Sequence, residues 1–121
     1  MIKNGKKKLE KDIQREICDW LASERYFFWR NNTIPVFSEG KFRALPKYTP
    51  RGLPDIIILW QGKFVGLEVK RPDERGNNPA TLAAQQKMAG EIRNAGGRYF
   101  IVHSREEAEN AMHLVFLSYD L

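Results

Sequence analysis

The chain has 121 residues, 42% apolar and 29% charged, with 20 Lys and Arg against 15 Asp and Glu, a formal net charge of +5 and a pI near 9.5. That is one domain's worth of chain, able to bury on the order of 65% of its unfolded surface without staples, and no run approaches the ~20 apolar residues of a membrane span. The lone Cys18 excludes an internal disulfide, the N-terminus lacks a signal peptide's apolar core, and the basic balance favours a polyanionic partner, so a cytoplasmic location is expected.

Residues 1–8 read as a basic tail in which Lys3, Lys6, Lys7 and Lys8 form an acid-free cluster, and residues 9–121 as a single domain. Leu9, Ile13, Ile17, Trp20 and Leu21 repeat at helical spacing and predict a first helix from Leu9 to Ser23. Glu16 falls just beside this stripe, as do Glu10 and Glu24 nearer the helix ends. Cys18 lies off it and carries no chemistry. Tyr26 to Arg30 is aromatic and strand-like, ended by Asn31-Asn32-Thr33. Ile34 to Arg51 holds Pro35, Gly40, Pro46 and Pro50 without a period and predicts a long irregular connection. Lys41, Arg43, Lys47 and Arg51 fall in an acid-free part of it, interleaved with Phe42 and Tyr48, a composition suited to phosphate contacts and base stacking.

The stretch Gly52 to Lys70 predicts a β-hairpin, with strands Asp55 to Trp60 and Phe64 to Lys70 about a Gln61-Gly62 turn. A two-residue turn opposes Trp60 to Lys63, Ile57 to Gly66 and Asp55 to Glu68. Opposed side chains lie roughly 4.5 to 5.5 Å apart at Cβ, where like charges repel unless a cation intervenes. Alternation puts Asp55, Glu68 and Lys70 on one face, and a turn of odd length would separate the acids. Two carboxylates and an ammonium suit Mg²⁺ or Mn²⁺ beside a phosphate, with the lysine orienting or deprotonating water or neutralising phosphate charge. An isolated Glu-x-Lys is ordinarily a surface ion pair. Here Pro54-Asp55 at the matching register sets it apart.

Arg71 to Pro79 is a polar loop. Thr81 is the expected N-cap of a helix from Leu82 to Ala95, ended by Gly96-Gly97, with Leu82, Met88, Ala89, Ile92 and Ala95 as its apolar stripe and Gln85 near the middle of it. Arg98 to His103 predicts a strand, and Glu106 to Met112 a short helix capped by Ser104. Leu114 to Leu121 predicts a last strand or a dimer contact. His103 and His113 lack metal-ligand spacing and read as structural.

Gly52-x-Pro54-Asp55, then Glu68-Val69-Lys70-Arg71-Pro72 after an apolar hairpin, then a helix with an inward Gln85, resembles the VRR-NUC family of the PD-(D/E)xK nuclease superfamily. The resemblance covers roughly Leu9 to Ser104. It implies an α/β fold of the restriction-endonuclease-like type, a mixed β-sheet with an antiparallel hairpin flanked by helices in an αβββαβ core. It also implies that Asp55, Glu68, the Val69 carbonyl and the first-helix Glu16 bind Mg²⁺ or Mn²⁺, that Lys70 assists catalysis, and that Gln85 belongs to the active site. The expected activity is a metal-dependent DNA endonuclease selective for branched DNA such as four-way junctions, contacting DNA through Lys41, Arg43, Lys47, Arg51 and Arg71. Small stand-alone members of the family are similar to junction-cleaving homodimers. Two alternatives stay open: a nicking or restriction-like nuclease on linear or flapped duplex, and a catalytically silent DNA-binding module.

Overall fold

The computed structural model describes residues 8–31, 37–38, 41–42, 47–73 and 78–118. Helix α1 (Glu10–Ser23) forms where the apolar spacing demands, and Ile13, Ile17 and Leu21 are buried along it. Leu9, expected as its first residue, stands just outside as the N-cap, where its N–H donates to the Asp12 carboxylate at 3.3 Å. Strand β1 (Phe27–Arg30) follows. Among its described residues, the connection expected to be irregular holds one small antiparallel pair, β2 (Phe37–Ser38) with β3 (Lys41–Phe42).

The hairpin has the expected register. In β4 (Ile56–Trp60) and β5 (Lys63–Val69), Trp60 pairs with Lys63 and Ile57 with Gly66. Gln61 and Gly62 both take positive φ, 50° and 77°, the two-residue turn whose twist suits a tight hairpin. Strand β6 (Arg98–Val102) then pairs parallel to β5 after the crossover helix α2 (Pro79–Asn94), giving a four-stranded sheet in the order β1-β4-β5-β6. The α-β-β-β-α-β succession of the main sheet is thus the expected core.

Two boundaries differ from expectation. Helix α2 begins at Pro79 rather than after Thr81, because the Asn78 side chain accepts from the N–H groups of Ala80 (2.8 Å) and Thr81 (3.4 Å) while Pro79 pre-sets the first helical φ. Helix α3 (Arg105–Leu117), capped by Ser104 Oγ accepting from the Glu107 N–H at 3.1 Å, runs through Leu114 to Leu117, so this part of the chain is not a last strand. The reason is packing: Ala108, Ala111, Met112 and Val115 recur at helical spacing and all are buried. Residues 119–121 lie outside the described residues.

The sheet separates two cores. Ile56, Ile58, Val65, Leu67, Val69 and Val102 meet α1 and α3 on one face, while Met88, Ala89 and Ile92 of α2 meet Tyr99, Leu53 and Phe64 on the other. Two glycines set how the segment before β4 lies between α2 and β5. Gly52, at φ 82°, passes so close to α2 that a Cβ would stand 2.5 Å from the Ala84 carbonyl oxygen. Gly66 leaves room for the buried Pro54, whose Cγ would lie 2.4 Å from an added Cβ. Gly66→Ala is therefore expected to destabilise the fold by about 1–3 kcal/mol, the usual cost of overpacking, and to displace Pro54 and with it Asp55. Chemical denaturation measures this, and an unchanged midpoint would refute the packing role.

Candidate active site

The site is built at the end of the hairpin farthest from its turn. Asp55 precedes β4 and Glu68 lies on β5, both directed to the face that α2 covers. Their carboxyl groups adjoin, and each bears on the other's titration. Asp55 is fixed from the backbone, its Oδ2 accepting from the Val69 N–H at 2.8 Å. Glu68 is 5% exposed and is held by two side chains: Gln85 Nε2 donates to its Oε2 at 3.0 Å and Lys70 Nζ stands 3.4 Å from the same oxygen. The hairpin register thus sets Asp55, Glu68 and Lys70 side by side, and α2 brings Gln85 to them. The Lys70 N–H donates to the Val102 carbonyl at 3.0 Å, anchoring the lysine backbone to the neighbouring strand.

Burial dominates the electrostatics. It pushes the Glu68 carboxyl up to about 8, helped by the adjacent Asp55 and opposed by Lys70. Burial also raises Asp55, against the Val69 N–H, the adjoining Glu68 carboxyl, Lys70 and Arg30. Two carboxyls in contact under these conditions retain a proton or hold a cation in its place. The donor set fits a hard divalent ion, because both side chains are oxygen ligands and main-chain carbonyls and water commonly complete such a shell. Among the described residues, no group of three His, Cys, Asp or Glu side chains is arranged to hold an ion.

Glu16 is placed differently from this group. It pairs with Lys8 at 2.7 Å and lines a cavity of about 410 Å³ with Ile13, Pro72, Asp73 and His103. Of the basic residues, Lys47 and Arg51 are exposed, with Lys47 Nζ 5.1 Å from the Tyr48 ring centroid, and Arg71 pairs with Asp73 at 3.2 Å. Lys41 is placed by its backbone in β3, and Arg43 lies outside the described residues. His103 pairs with the following helix: its Nδ1 lies 2.8 Å from Glu107 Oε1, and that contact holds the Glu107 carboxyl below its usual value.

Sequence reasoning missed Tyr99. This buried β6 residue pairs with Gly66, and the nearby Glu68 and Asp55 charges add to burial in raising its phenol above the ordinary range. The missing signal is the parallel register between β5 and β6, which sequence alternation does not encode.

No family model and no curated protein matches the sequence. Among solved structures, one described as a VRR_NUC domain aligns with a TM-score of 0.55 at 16% identity, covering 86% of this chain and 94% of that one. The two share a fold.

Proposed function

We propose, on the premise that this chain carries the VRR_NUC domain fold, that it is a Mg²⁺- or Mn²⁺-dependent DNA endonuclease of the PD-(D/E)xK type, selective for branched DNA such as four-way junctions. The observation that carries this reading is the buried Asp55–Glu68 pair with Lys70 Nζ 3.4 Å from Glu68. Asp55, Glu68 and the Val69 carbonyl would hold the ion, and Glu16 would be the further carboxylate, exchanging its Lys8 partner for that role. A divalent ion at such a pair supplies charge stabilisation on the scissile phosphate and activation of water.

The protein's own residues do the positioning. The Val69 N–H orients Asp55, and Gln85 Nε2 orients Glu68, so the two carboxyls converge on one point. Lys70 brings an ammonium to the same point, where it offsets phosphate charge or orients the attacking water. Lys41, Arg43, Lys47, Arg51 and Arg71 would meet the sugar–phosphate backbone, which carries little sequence information, so selectivity would rest on DNA shape. A homodimer would present two such sites to a junction. Among the described residues no helix is long and apolar enough to cross a membrane, which accords with a cytoplasmic setting.

The test is cleavage of a labelled four-way junction beside a linear duplex of the same sequence, in Mg²⁺, Mn²⁺ or EDTA, with wild type and Lys70→Ala. Metal-dependent junction cuts that fall at least 100-fold in the variant are expected, in line with the roughly 10²–10⁴-fold attributed to a positioned proton-transfer group. Equal cutting of both substrates keeps the nuclease and removes the junction preference. DNA binding by both proteins with no cutting by either leaves a binding module instead.

A further inference from the structure

Helix α2 and the edge strand β6 enclose a cavity of about 380 Å³ on the sheet face that bears the acid pair. Leu82, Ile101 and Tyr99 contribute apolar surface to its lining, and Gln85, Gln86 and Arg93 contribute polar groups. Two buried atoms of these residues have no hydrogen-bond partner among the described residues: Gln85 Oε1 and the Tyr99 phenol oxygen, on side chains of residues 8% and 4% exposed. Buried polar atoms are nearly always satisfied, and both of these are closed to solvent as the side chains stand, so a partner entering the cavity reaches them only as Gln85 and Tyr99 shift to meet it.

The chemistry of the two atoms narrows the ligand. Gln85 Oε1 only accepts, so the group facing it must bring an N–H or O–H, which excludes a phosphate oxygen at that point. The phenol donates or accepts, and so matches either kind of neighbour. Aliphatic and aromatic walls favour a flat apolar face. A planar ring with a donor and an acceptor on one edge is the description of a nucleobase. Arg93, exposed and donating to the Tyr99 carbonyl at 3.0 Å, adds a cation to the lining for the attached phosphate. Gln85 joins the cavity to the acid pair, since its Nε2 holds Glu68 while its Oε1 is the unpaired acceptor.

We propose that this cavity receives one unpaired nucleobase of the DNA strand whose phosphate lies at Asp55 and Glu68, an inference that rests on the nuclease reading above. A branch point supplies a base already out of its stack, whereas continuous duplex must first be opened. The pocket is thereby one source of the preference for branched DNA.

The experiment uses a junction with two unpaired nucleotides at the branch, each replaced in turn by 2-aminopurine or by an abasic site, with wild type, Tyr99→Phe and Gln86→Trp. Gln86 is exposed, so the indole fills the cavity from its rim without disturbing the core. In EDTA, binding to wild type is expected to change 2-aminopurine fluorescence at one position at least twofold, less in Tyr99→Phe and not at all in Gln86→Trp. In Mn²⁺, wild type should cut the abasic junction about tenfold more slowly, the scale of one lost base contact, and Gln86→Trp should cut both junctions at that slower rate. Unchanged fluorescence with equal cutting of the two junctions overturns the pocket, leaves the nuclease in place, and assigns the two unpaired atoms to water. A fluorescence change with no cutting by wild type supports the pocket and overturns the nuclease reading. Neither a change nor cutting overturns both.

Discussion

Glu68→Gln is expected to abolish cleavage while making the metal-free protein more stable above about pH 6. Glutamine keeps the size of the side chain and an oxygen for Gln85 Nε2 to bond, but it removes the anion that burial and Asp55 both oppose. The stability that the acid forgoes is the cost of holding a charged ligand in a dry place, and the variant no longer bears it. The activity loss should be at least 10³-fold, because an ion held by this pair stabilises the transition state by several kcal/mol at about 1.4 kcal/mol per tenfold. Junction cleavage and thermal melting of the same preparation measure both halves. Cleavage retained within tenfold would remove Glu68 from the site, and a variant less stable than wild type at pH 8 would show that the carboxylate is not strained.

In metal-free protein, stability is expected to fall as pH rises from about 5 to 8. The direction follows from Glu68, whose folded value of about 8 lies above the ordinary 4.5. Between those values the folded state binds more protons than the unfolded chain, so each step up in pH favours unfolding. The contribution is complete below about pH 4.5 and is lost through pH 8, and a shift of this size corresponds to on the order of 5 kcal/mol at most. Asp55, also raised, acts in the same sense. A divalent ion replaces the proton, so Mg²⁺ or Mn²⁺ should raise Tm more at pH 8 than at pH 5.5. Melting curves in EDTA and in metal across this range are the check. A flat profile in EDTA contradicts a buried acid pair, and Asp55→Asn should lessen the slope while leaving the part set by the burial of Glu68.

Much of this site is legible in the linear sequence because a hairpin is local. Once Gln61-Gly62 is a two-residue turn, the period of two along each strand sends Asp55, Glu68 and Lys70 to one face. The helical period likewise turns Gln85 inward among Met88, Ala89 and Ile92. The end of α3 is hidden in the sequence for the opposite reason: Leu114, Phe116 and Leu117 are apolar yet exposed, and only the burial of Val115 in the core shows that the helix continues.

The sequence by itself therefore determined the acid pair, its lysine, the inward glutamine and the order of the elements in the main sheet, all of which depend on short-range periodicity. Only the tertiary structure decided which face of the sheet each helix covers and how β5 and β6 align. Helix α1 packs against Val65, Leu67 and Val69, whereas the Glu68 side chain points to the α2 side, so α1, which carries Glu16, and the acid pair lie on opposite faces of the sheet. The parallel pairing of Gly66 with Tyr99 is set by how the crossover helix α2 seats on the sheet. That contact joins residues far apart in the chain and leaves no local pattern, which is why the Tyr99 side of the site emerged only from the fold.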